Sequence, residues 1–282
     1  MTTNQDLRCQ VETDISLAVV CFGNELKTGA RSTAEFLDAA VSLGFASVEL
    51  CDRSVRDPAA VQAGLRDRGL AMPSIALRND FTGDQGSVAD SVDHLIGWLT
   101  IAESFGCRLA RVWTGWQRVD ATARRQITEA LDEVVPHARR VGVALAVETH
   151  GGLSNDPAFL ADLCDRYPSE SFGVCLDFGN LPGDVRRFAI RRLAPITNHV
   201  HVKSYEFDAS GVETTIPLAW AIRELDRAGF AGQWVIEYEG RRRTRLGSNE
   251  PWQRCAPHCT ARRSRTGRYD HVAGGRADHR SP

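Results

Sequence analysis

No stretch of the 282-residue sequence approaches the ~20 consecutive apolar residues that a membrane-crossing helix requires, so no membrane partner is expected. The opening residues, MTTNQDLRCQVETD, lack the basic-then-apolar order of a secretory signal, which argues against export and for a cytoplasmic location. Net charge is nearly absent as well: 34 Lys and Arg face 36 Asp and Glu, giving −2. That balance is uneven along the chain. Residues 241–282 hold 11 Arg, no Lys and 3 acidic residues, a net of +8, which leaves about −10 on the first 240. An acidic body does not offer the basic face that nucleic acid needs, so nucleic acid is not an expected partner. Eight cysteines would suggest disulfides in a short secreted chain, but Cys21, Cys51, Cys107, Cys164 and Cys175 sit inside apolar runs and read as small buried thiols.

What is present is a repeated alternation of short apolar runs with amphipathic helical stretches, the pattern of parallel βα units. The runs are ISLAVVCF (15–22), FASVELC (45–51), LAMPSIAL (70–77), CRLARVW (107–113), VALAVE (143–148), FGVCLD (172–177), HVHVK (199–203) and QWVIEYE (233–239). Between them lie seven helical stretches. Ser32 with Glu35 forms a capping box for the first, and Asp57 caps the second with Pro58 at its first position. Gly44, Gly69, Gly106, Gly142 and Gly229 stand where left-handed C-caps belong. Eight strands in this order predict a closed (β/α)8 barrel of the TIM type over residues 1–242. An open doubly wound sheet would carry a glycine-rich phosphate turn after its first strand, and GNEL is not one.

Barrel enzymes work at the C-terminal ends of their strands. Those ends carry Glu148 on the fifth, Asp177 on the sixth, the pair His199 and His201 on the seventh, and Glu237 on the eighth. Three carboxylates converging on one mouth repel each other unless a cation neutralises them. Oxygen donors with one imidazole suit Mn²⁺, Mg²⁺ or Co²⁺ and tolerate Zn²⁺, so one divalent metal ion is the expected cofactor.

The segments VETHGGLSNDP, FGVCLDFGN, HVHVKSYEFD and FAGQWVIEYEG, with LGFASVEL, SIALRNDF and CRLARVWTGW upstream, resemble the sugar phosphate isomerase/epimerase group of xylose-isomerase-like barrels over about residues 15–240. The resemblance implies that Glu148, Asp177, His201 and Glu237 are the metal ligands, with Glu239, on the same face as Glu237, as the fallback. It also implies that Glu148 and Glu237 are the catalytic acid/base pair. The expected reaction is isomerisation or epimerisation of a small sugar, sugar phosphate or polyol derivative, by proton abstraction next to a carbonyl and through an enediolate. Related epimerases often carry a histidine where Asn180 stands, a departure from the closest epimerase pattern. Substrate contacts are expected from His150, Lys203, Asn180, Glu49, Asn79 and Trp113, with Trp116 as a further apolar wall. Each has a blander reading. His150 can be a satisfied loop residue, Lys203 can pair with a ligand carboxylate, and a strand-end Trp can simply pack.

A dehydratase acting on an inosose or a dehydroshikimate-like acid is the alternative on the same site. A three-metal phosphoesterase is disfavoured, because strands 2 and 3 end in ELCD and ALRND without a histidine. A third reading is an inactive barrel with a damaged end. Residues 243–282 contain one Leu, one Val, no Ile and no Phe, so no eighth helix with an apolar stripe can be drawn there. This Arg-rich ending reads either as a reading-frame change or as an irregular basic tail; Cys255, His258 and Cys259 are too few for a metal site of their own. A barrel without its closing helix is expected to be poorly soluble or homo-oligomeric.

Overall fold

A computed structural model describes residues 15–84, 86–115 and 118–240. The expectations for residues 241–282 and for Trp116 lie outside the described residues. Eight parallel strands close into a barrel in chain order. They are β1 (Ile15–Ala18), β2 (Ser47–Cys51), β3 (Ala71–Ala76), β4 (Leu109–Val112), β5 (Ala144–Glu148), β6 (Phe172–Asp177), β7 (Thr197–Ser204) and β8 (Gln233–Tyr238). The ring closes where β1 pairs with β8, Ile15 opposite Trp234 and Leu17 opposite Ile236. Among the described residues, seven helices of eight residues or more follow β1 to β7, one after each: α1 (Thr33–Ser42), α2 (Pro58–Asp67), α3 (Val88–Ser104), α4 (Ala121–Arg140), α5 (Pro157–Arg166), α6 (Arg186–Leu193) and α7 (Leu218–Arg227). No described helix is long and apolar enough to cross a membrane.

One predicted strand is shortened. Val19–Phe22 turns into a 3-10 helix and runs on into a helical turn at Gly23–Lys27, so β1 keeps only the first half of its apolar run. A short, wholly apolar run fits a buried strand or a buried helical turn equally well.

The caps are where the sequence put them. Ser32 Oγ accepts from the Glu35 amide at 3.3 Å while Glu35 Oε2 accepts from the Ser32 amide at 2.7 Å. Ser32→Ala is expected to cost about 1 kcal/mol, seen as a fall of ~2–4 °C in Tm for a domain of this size; an unchanged Tm would deny the cap any energetic role. The five C-capping glycines all have positive φ, 82° at Gly44 and 77° at Gly229, for example.

Strand alternation sorts the chemistry. On β2, Val48 and Leu50 are fully buried in the main apolar core between sheet and helices, together with Phe36, Leu37, Leu95, Leu99, Ile127 and Leu131. Ser47 and Glu49 take the other face and look into the barrel. There a small apolar plug of Leu109, Ala146 and Cys175 fills part of the interior. Most of the rest is polar: Ser16 Oγ lies 2.8 Å from Ser47 Oγ and also accepts from Gln233 Nε2 at 3.0 Å. Cys107 and Cys175 are buried, and burial pushes both thiols up to about 12, so neither is a thiolate at neutral pH.

Candidate metal centre

The strand ends bring four side chains together. One ligand atom from each of Glu148, Asp177, His201 and Glu237 lies within 4.8 Å of all the others, and all four residues are buried. Neighbouring registers account for this. Asp177 stands opposite His201 across β6 and β7, and Glu237 stands opposite Lys203 across β7 and β8. Ligands on opposite sides of a Mg²⁺-sized ion lie ~4.0–4.2 Å apart, twice the bond length of ~2.0–2.1 Å. The widest separation in this cluster exceeds that span by at most ~0.6–0.8 Å, a contraction that a bound cation would supply.

His201 sits between the two glutamates, its Nδ1 3.1 Å from Glu148 Oε1 and 3.1 Å from Glu237 Oε1. Its other nitrogen, Nε2, meets Glu49 Oε1 at 3.0 Å, and Glu49 Oε2 lies 2.8 Å from His199 Nε2 while accepting from Ser74 Oγ at 2.6 Å. A carboxylate on the far nitrogen fixes the tautomer and orientation of a metal-ligating imidazole. Glu49, expected as a sugar-hydroxyl contact, borders the cavity, and both of its oxygens meet histidines. His199, the deeper member of the pair, belongs to this support. The donor set and the imidazole geometry therefore fit a resident divalent ion.

Charge in this cluster is shared out among neighbours. Burial alone would raise Glu148, but Arg111 and His201 hold its carboxyl well below the usual range. Burial disfavours charge on His201 as well, but the carboxylates of Glu237, Glu49 and Glu148 around it outweigh that and raise the imidazole well above its ordinary value. Burial, with Glu237 and Glu148 beside it, pushes Asp177 up to about 7 despite Lys203. Gly179 N and Asn180 N donate to Asp177 Oδ1 at 2.7 and 3.1 Å.

Lys203 is almost fully buried and pairs with Asp177 at 3.1 Å, Glu237 at 2.6 Å and Glu239 at 3.1 Å. Glu239, past the end of β8, is at the exposed rim and reaches Lys203. Gly179 makes room for the lysine stem, because a Cβ there would stand 2.4 Å from Lys203 Cγ. Lys203→Met strands buried carboxylates and is expected to cost about 3–5 kcal/mol in metal-free protein. Urea unfolding with and without a divalent cation checks this; equal stability of variant and parent without metal would contradict it.

The remaining expected residues divide into two sets. Trp113 Nε1 donates to Glu148 Oε2 at 2.6 Å, and its ring stacks on His150 with centroids 4.5 Å apart. Asn180 Nδ2 donates to Asp177 Oδ2 at 3.0 Å and Glu148 Oε1 at 3.3 Å, so it orients two of the clustered carboxylates. Asn79 lies apart from these: its amide exchanges two hydrogen bonds with the Trp113 main chain, at 2.7 and 2.8 Å, and holds the β4 loop. A cavity of about 660 Å³ opens above the site, lined among others by Glu148, Glu237, Lys203, His150, Trp113 and Arg111. Arg111, on β4, was not among the expected residues. Its signal was a charge interrupting the apolar run LARVW, in phase with Leu109 and Trp113.

A closed (β/α)8 barrel whose strand-end carboxylates and histidine meet beneath a cavity is built as barrel enzymes are, with the site at the C-terminal mouth. The sequence pattern of the xylose isomerase-like TIM barrel matches residues 37–260, and the chain belongs to that family. Among curated proteins none matches this sequence. Several solved structures are similar in fold. A xylose isomerase-like TIM barrel protein from Mycobacterium smegmatis, in complex with magnesium, superposes with a TM-score of 0.64 at 20% identity, covering 88% of this chain and 95% of that one. An L-ribulose 3-epimerase gives 0.68 at 17% identity, over 92% and 99%. The D-psicose 3-epimerase of Clostridium cellulolyticum H10, with D-tagatose, gives 0.65 at 13% identity, over 90% and 98%. At these identities the likeness carries the fold.

Proposed function

We propose that the protein is a divalent-metal-dependent isomerase or epimerase of a small sugar or polyol derivative, acting by proton transfer at the carbon next to a carbonyl. The observation that carries this reading is the convergence of Glu148, Asp177, His201 and Glu237 within 4.8 Å beneath an open cavity. A divalent ion held there would neutralise the carboxylates and polarise a substrate carbonyl. Glu148 and Glu237 both reach the Nδ1 of His201, at 3.1 Å each, from strands β5 and β8. In this reading one removes a proton from one face of a planar carbon, and the other returns it on the opposite face. Asp177 and His201 serve mainly to hold the ion, and Glu49 keeps His201 in register. Trp113 and His150 form a flat wall against which a sugar ring or chain can lie. The magnesium held by one similar barrel, and the fact that two others are sugar epimerases, support this choice of reaction class.

The test is a screen of ketoses and inososes in D₂O with Mg²⁺, Mn²⁺ or Co²⁺, alongside metal analysis of the purified protein. Deuterium is expected at the carbon next to the carbonyl, with loss of exchange in chelator. Turnover without deuterium incorporation, or turnover undiminished by chelation, would sink the proposal.

A further inference from the structure

Arg111 pairs with Glu148 but with no other carboxylate of the cluster among the described ion pairs, and it is a buried charge at the edge of the cavity. It is only 8% exposed, it borders the cavity, and its guanidinium lies 4.9 Å from the Trp113 ring centroid. Glu148 Oε2 comes within 3.3 Å of Arg111 Nε and supplies an opposite charge, but Nε and Nη1 donate no hydrogen bond among the described residues. A buried guanidinium with unmet donors is costly, and such a group asks for a partner. A neutral hydroxyl offers one weak acceptor and no charge. A carboxylate offers two oxygens in the plane and spacing that the guanidinium fork matches.

Surrounding charge points the same way. Arg53, Arg56 and Arg78 line the same cavity, on the side of β2 and β3, facing the carboxylate side built by β5 to β8. Of these, Arg78 is paired with Asp52 at 3.0 Å, while Arg53 and Arg56 are exposed. The cavity is thus divided into an acidic half suited to a cation and a basic half suited to an anion. Because Arg111 sits directly beside Glu148, the anion it takes must lie close to the reacting carbon rather than at the far end of a chain.

The geometry points to Arg111 as a specificity-determining residue that binds a carboxylate carried by the substrate near its reacting carbonyl. The inference deepens the isomerase reading and rests on it for the position of the reacting carbon: the substrate is then a sugar acid or keto acid, not a neutral ketose. Arg53 and Arg56 draw the anion toward the mouth, and Arg111, stacked on Trp113, fixes it.

Three non-reacting probes of matched length test this by calorimetric titration: D-glucitol, D-gluconate and D-glucitol 6-phosphate, each on Mg²⁺-loaded and on EDTA-treated protein. Gluconate is expected to bind about 10- to 100-fold more tightly than glucitol. Arg111→Gln should bring that ratio close to one. Arg111→Lys, which keeps the charge and the fold but loses the fork, should leave an intermediate ratio, and it carries the test should Arg111→Gln not fold. Gluconate binding no tighter than glucitol, or a ratio unaltered in both variants, overturns the proposal. Glucitol 6-phosphate binding more tightly than gluconate, with the same dependence on Arg111, overturns the carboxylate in favour of a phosphate. Metal uptake is measured in a separate Mn²⁺ titration. Its absence, with the anion preference intact in EDTA, would sink the metal-dependent reading alone.

Discussion

Glu148→Gln and Glu237→Gln are each expected to lower kcat by about 10⁴-fold. General acid/base catalysis by one positioned group is worth ~10²–10⁴, and each substitution also removes a negative charge from a buried cation site. Amide and carboxylate have nearly the same shape, so packing should survive. At position 148 the single amide oxygen can accept from only one of Trp113 Nε1 and Asn180 Nδ2, which reach different carboxylate oxygens, so one of these contacts is lost and the pairing with Arg111 weakens. The two variants should differ in one respect. If the glutamates stand on opposite faces of the substrate, each variant loses exchange of the proton on its own face, so deuterium wash-in from D₂O at the two epimeric positions separates them. A variant keeping more than a tenth of parental turnover at saturating metal would remove that glutamate from catalysis.

Divalent metal is expected to raise Tm substantially. At a free ion concentration 100 times Kd, binding to the native state alone adds ~2.7 kcal/mol, which for a domain of 150–250 residues corresponds to about 5–10 °C. EDTA should reverse the shift. His201→Ala and Asp177→Asn should abolish it, since each removes one of the four converging donors. Asp177→Asn is the sharper test. Burial already pushes this carboxyl up to about 7, so the metal-free protein holds its charge at a disadvantage and should lose little by surrendering it. The expected pattern is a near-parental Tm in EDTA combined with no response to Mn²⁺ or Mg²⁺. A full shift in that variant would mean that the ion binds elsewhere.

Much of the fold was legible because each strand is a run of apolar residues and most helices end in a glycine that only a left-handed cap explains. Glu148, Asp177, His201 and Glu237 were legible for a related reason: a polar side chain at the end of an apolar run can be counted along the chain, and in a barrel that position faces the mouth. Contacts that cross the interior are different in kind. Glu49 and His199 are 150 residues apart, and no local pattern says that they meet. Glu49 was therefore expected to face a sugar, when its oxygens are turned to two imidazoles. Arg111 was overlooked because it interrupts LARVW in the middle of the strand rather than at its end, where the mouth residues were sought. The second half of the first apolar run was read as strand, because burial on all sides erases the periodicity that distinguishes strand from helical turn.

The closure between β1 and β8 bears on how the chain is made. The Cys21 thiol donates to the Ile236 carbonyl across 215 residues of sequence, and every pairing of β1 with β8 is comparably remote. At ~5–20 residues per second, a nascent chain exposes the outer edge of β1 for roughly 10–40 s before β8 has been synthesised. During that interval the growing sheet presents an unpaired row of amides and carbonyls, the kind of edge to which another strand can add. Ribosome pausing or truncation upstream of residue 233 would leave this edge open permanently. The yield of folded protein should then depend on the rate of elongation and on chaperone supply, even where the finished barrel is stable.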